Sequence, residues 1–103
     1  MKALDNITSV KVRNCESVSD YTRNVPNQFI IHAKTAKGSI SLFQSYEKVI
    51  AMRDEHGQIT LDNRYWDYSN TTGKYRNQFL GECIAETRKK IKSGEYKLDN
   101  LNE

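Results

Sequence analysis

The chain has 103 residues (11.9 kDa), a net charge of +3, 28% charged and 37% hydrophobic residues, and a mean hydropathy of −0.79. That length predicts a single domain over residues 1–103, and its aromatic and branched-aliphatic content excludes a disordered chain. No apolar run approaches the roughly 18 residues needed to span a bilayer, and no apolar leader precedes the domain, so a cytoplasmic location is expected.

Residues 1–5 read as a frayed end. In residues 7–13 (ITSVKVR), Val10 and Val12 alternate with polar side chains, the period of a first strand. Residues 14–27 are polar and read as a loop, with a short helix around 16–23 as the alternative; Pro26 biases Val25 towards extended geometry. Residues 28–34 (QFIIHAK) and 39–44 (SISLFQ) read as strands joined by a turn at Gly38, and residues 49–53 (VIAMR) and 59–61 (ITL) as strands joined at Gly57. From Tyr75 the period changes. Tyr75, Phe79, Leu80, Cys83, Ile84, Thr87 and Ile91 fall on one helical stripe. Ser69, Asn70, Thr71 and Thr72 offer caps before it, and Gly94 offers a left-handed stop. The expected fold is α+β: an antiparallel meander of four to five strands within residues 7–62, its one apolar face covered by one long C-terminal amphipathic helix over about 71–93.

Chemistry-bearing residues are sparse. Cys15 and Cys83 stand outside any CxxC pair and are expected as reduced thiols, Cys83 as a small hydrophobe on the buried helix face. His32 and His56 lack a Cys, Asp or Glu partner at a metal-binding spacing, so no metal or cofactor is expected. The carboxylates Asp54, Glu55, Asp62 and Asp67 read as turn and surface groups rather than as an acid/base pair. Thr71-Thr72-Gly73-Lys74 lacks the spacing of a phosphate-binding loop and reads as helix capping. An enzyme therefore ranks last among the readings.

The charge is uneven. Residues 74–92 carry six cations (Lys74, Arg76, Arg88, Lys89, Lys90 and Lys92) against Glu82 and Glu86, while the rest of the chain sums to −1. Together with Arg64 and Trp66, these cations form the candidate nucleic-acid surface, since aromatic faces stack bases and cations neutralise phosphates. The plainer reading is a solvated helix end whose lysines complement its dipole, with the rings Tyr65, Trp66, Tyr68 and Tyr75 filling the sheet–helix junction.

The strings PNQFIIH, SLFQSYEKVIA and ITLDNRYWDYSNTTGKYRNQFLGE carry a resemblance. Their segments Phe43 to Tyr46 and Tyr68 to Thr72, with the pair Phe79–Leu80, resemble a group of small uncharacterised proteins encoded by bacteriophages and related mobile elements, over residues 26–98. The resemblance implies a viral context, inside a host cell, and transfers no residue role. The expected function is that of a non-enzymatic accessory protein that binds DNA or RNA through the basic helix. The alternative is a protein-binding module, such as an inhibitor of a host enzyme or defence factor. A homodimer through an exposed strand edge remains open.

Overall fold

Runs of period-two alternation pair in chain order in the computed structural model, which describes residues 7–17, 19–20 and 23–102. β1 (Ser9–Glu16), β2 (Asn24–Thr35), β3 (Gly38–Ser45), β4 (Lys48–Arg53) and β5 (Ile59–Asp62) form an antiparallel meander. The frayed end expected at 1–5 lies outside the described residues. The segment read as a polar loop over 14–27 is strand at both ends: β1 runs on to Glu16, β2 begins at Asn24, and the Ser17 N–H donates to the Arg23 carbonyl at 2.8 Å. Of the helix weighed around 16–23, Val18, Tyr21 and Thr22 lie outside the described residues. Pro26 is tolerated within β2 because it sits where the β1 register shifts, ahead of the first β3 partner at Gln28.

Three expectations are corrected. The sheet has six strands in the order β1-β2-β3-β4-β5-β6, the last being β6 (Lys97–Asp99), parallel to β5. Three residues carry no readable period, and a parallel partner requires a crossover, which the helices supply.

The single helix expected over 71–93 is two: α1 (Asn70–Leu80) and α2 (Ile84–Ser93). Gly81, at φ 70°, closes α1 with its N–H on the Asn77 carbonyl, and the extended Cys83 starts α2. The apolar stripe reads straight through because a three-residue interruption preserves the steps of three and four on which a helical period is counted. The consequence falls on Cys83, which is exposed rather than packed.

The sheet also has apolar residues on both faces instead of one. On the helix side, Ile30, Phe43, Ala51 and Leu61 line up across β2 to β5 and build the main core with Cys15, Ile50, Ile59, Tyr75 and Tyr96. A bulge opposite Phe43 and Gln44 breaks the alternation in β4, so that Ile50 and Ala51 both reach this core. The Phe79 ring stacks on Phe43 at 6.1 Å and docks α1. On the other side, Ala33, Ile40 and Leu42 form a second cluster flanked by Ile31, Val49 and Met52.

The chain beyond β6 is pinned rather than loose. Buried Asp62 accepts three backbone N–H groups, from Arg64 (3.0 Å), Tyr65 (2.8 Å) and Leu101 (2.9 Å). The Asn102 side-chain amide bonds both the N–H and the carbonyl of Val49, at 2.7 and 2.9 Å, taking the ladder position next to the last β4–β5 pair. Among the described residues, no helix is long and apolar enough to cross a membrane.

Candidate nucleic-acid interface

The helical cations are largely held by the protein itself. Arg76, expected as a phosphate contact, is 1% exposed. Its guanidinium donates to the Trp66 carbonyl (2.8 Å), Asp67 (3.2 Å) and Asn77 (3.0 Å) and lies over the Trp66 ring. It is a packing residue of the junction, and it draws Trp66 inward with it. Arg88 shares Asp67 at 3.8 Å, and Lys89 pairs with Glu86 one helical turn away at 3.7 Å.

Lys90 lies 2.7 Å from Glu82, which also accepts from Thr87 (2.6 Å) and from the Tyr96 hydroxyl (2.7 Å). Burial acts to raise the Glu82 carboxyl, but the three donors outweigh it and hold the group below the ordinary glutamate value. The same contact raises Lys90. Burial, and then the hydrogen bond to Glu82, raises Tyr96. Of the expected site, Arg64, Lys74 and Lys92 are exposed with no carboxylate partner among the described residues.

A second cationic surface forms on the sheet. Register aligns Lys11, His32, Ser41 and Arg53 in one row across β1 to β4. Arg13 and Lys34 lie two residues along their strands from Lys11 and His32, on the same face. This is the helix side of the sheet, at the end that α1 leaves uncovered. Arg53 donates to the Phe79 carbonyl (2.8 Å) at the end of α1 and lies over the Phe79 ring, so its position is fixed.

The His32 Nδ1 and the Ser41 hydroxyl are 3.0 Å apart. A cleft of about 270 Å³ runs between Arg13, His32, Arg53 and Phe79. Glu16 also lines it, and Asp54 and Glu55 line a neighbouring pocket with Lys11 and Lys34, yet Lys11, Arg13, Lys34 and Arg53 have no carboxylate within ion-pair distance among the described residues. Sequence reasoning missed this shelf. The alternation K-V-R in β1 and H-A-K in β2 is visible as a period, but which cations face one another depends on register.

A groove of about 710 Å³ opens at the other end of α1, bordered by Tyr46, Lys48, Tyr68 and Thr71. All three strings that carry the resemblance meet here: Asn27 from the first, Ser45 and Tyr46 from the second, Tyr68 and Ser69 from the third. A buried hydrogen bond between the Ser45 and Thr72 hydroxyls (2.8 Å) ties the second to the third.

Fold and surface together define a class: a mostly antiparallel six-stranded sheet, two short helices on one face, and a basic shelf beside them. Within that class the chain belongs to a family described as Family of unknown function (DUF8033), which it matches over residues 11–95. No curated protein matches the chain. No solved structure matches it. Among the described residues, no three His, Cys, Asp or Glu side chains gather as a metal site.

Proposed function

We propose that the protein is a non-enzymatic accessory protein that binds nucleic acid, with the sheet shelf as its main phosphate-contacting surface. The observation that carries this is the contrast in pairing. Among the described residues, four shelf cations have no carboxylate partner, whereas Arg76, Arg88, Lys89 and Lys90 each have one. A cation already paired gains less by meeting a phosphate, because it must give up its carboxylate to do so; an unpaired one can neutralise the phosphate and release the counterion condensed on the nucleic acid. Arg64, Lys74, Arg88, Lys89 and Lys92 extend the positive field around the helices. The bacteriophage-type context and the cytoplasm of a host cell belong to the same proposal. Fluorescence anisotropy with labelled DNA and RNA tests it. Saturable binding that weakens steeply with salt is expected, and no binding at low salt sinks the reading.

One observation favours a second reading. Among the described residues no strand pairs with the outer edge of β1, and Val10 and Val12 beside it are 50% and 59% exposed. Such an edge suits an added strand from a protein partner, as in an inhibitory module, or from a second copy of the chain. Light scattering across a concentration series reads the second copy directly, and a Val12→Lys variant should abolish any dimer seen.

A further inference from the structure

The groove at the start of α1 differs in kind from the shelf. Its charged lining residues are Glu47 and Lys48, which cancel, so it offers no net attraction for phosphate. Nor does the helix start offer a free N–H at Thr72, because the Ser69 hydroxyl already accepts it at 3.2 Å. What the groove does offer is ring surface. Tyr46 and Tyr68 both line it, 48% and 56% exposed, in a chain whose Phe43 and Tyr75 are buried.

The Tyr68 ring is held by a neighbouring ring, and Tyr46 is held through its backbone. Tyr68 meets Tyr65 edge-on at 5.4 Å and 77°, and the Lys48 ammonium sits 5.0 Å over the other member of that pair. Tyr46 stands at φ 55°, a left-handed conformation rare for a side chain of its size, and its N–H donates to the carbonyl of Asn27, itself at φ 64°. These two left-handed residues, joined by that hydrogen bond, fix the backbone from which the exposed Tyr46 ring projects. The same groove is lined by the short polar side chains of Asn27 and Thr71, which can donate to and accept from the edge of a flat ligand.

We infer that this groove receives an unpaired nucleobase, so that the protein prefers single-stranded over double-stranded nucleic acid. The inference rests on the nucleic-acid reading above and names its substrate class. A nucleobase has two π-faces and a hydrogen-bonding rim, which matches two presented rings and a polar lining. A base locked in a duplex cannot enter. The eleven residues of α1 separate the groove from the shelf by about 16 Å, so one flexible strand can lay its phosphates on the shelf and still reach the groove with a base.

The test uses three labelled probes of equal length: a single strand, its duplex, and an abasic strand with the same phosphates but no bases. The intact single strand should bind about tenfold or more tighter than the abasic one. Tyr46→Ala and Tyr68→Ala should collapse that difference, and Tyr46→Phe and Tyr68→Phe should restore it, since stacking needs the ring and not the hydroxyl. Thermal unfolding of each variant checks that the fold is kept. If intact and abasic strands bind equally and with one salt slope, or if the alanine variants keep the preference, the base site is overturned while the shelf stands. If no probe binds at low salt, the nucleic-acid reading falls and takes this inference with it.

Discussion

The Glu82 carboxylate lies 2.7 Å from the Lys90 ammonium, eight positions along the chain, a contact that one continuous helix could not make. Eight residues of continuous helix rise about 12 Å. Interrupting the helix at Gly81–Cys83 lets Glu82 turn back over the first turns of α2 and meet Thr87, Lys90 and Tyr96 together.

This cluster gives stability a pH signature. The Glu82 carboxyl is depressed, so its contribution is fully present above the ordinary glutamate value of about 4.3 and is lost as pH falls below it. Lys90 and Tyr96 are raised, so their contribution is present below about pH 10 and is lost as pH rises further. Glu82→Gln should cost about 2 kcal/mol at neutral pH and flatten both arms of the profile. Urea unfolding midpoints across the pH range check it.

Arg76 should behave as a structural residue. Arg76→Met removes the donors to Trp66, Asp67 and Asn77 and should lower stability by about 2–4 kcal/mol. Nucleic-acid affinity of the folded variant should stay at the parent value. A selective loss of affinity with an unchanged melting temperature would place Arg76 back in the interface.

The thiols should separate sharply. Burial pushes the Cys15 thiol up to about 11, against a smaller lowering from Arg13, and leaves it 1% exposed; Cys83 is exposed. A thiol reagent at neutral pH should label Cys83 promptly and reach Cys15 only after denaturant is added. Prompt labelling of both in the native protein would contradict the burial of Cys15.

Asp62 anchors the segment after β6. Asp62→Ala leaves the N–H groups of Arg64, Tyr65 and Leu101 without their acceptor and should cost about 3 kcal/mol. Hydrogen exchange at Leu101 should accelerate more than exchange in β3, because the first loses its own partner and the second does not.

The two cationic surfaces can be ranked. Lys11→Glu combined with Lys34→Glu should weaken binding strongly and lower the salt slope by roughly 0.7–0.9 for each phosphate that the shelf no longer neutralises. Arg88→Glu combined with Lys89→Glu should do less, because both side chains already face carboxylates. The reverse order in anisotropy titrations would return the interface to α2.

The sequence by itself determined the local elements of this protein. Alternation marked β2 to β5, and Gly38 and Gly57 marked the β2–β3 and β4–β5 turns, while the Tyr75–Ile91 stripe marked helical residues on both sides of a break at Gly81–Cys83 that it did not show. Each is a property of neighbours in the chain, so a short window carries it. Tertiary structure alone decided what depends on distant partners. Lys97–Asp99 becomes a strand only because β5 offers an open edge, and Asn102 completes a ladder whose other half is Val49. The break between α1 and α2 accommodates a carboxylate cluster that includes Tyr96, beyond the end of any helical window. The shelf is the clearest case. Lys11, His32 and Arg53 are scattered singly along the chain, and antiparallel register, set by burial of the alternate residues, brings them into one row.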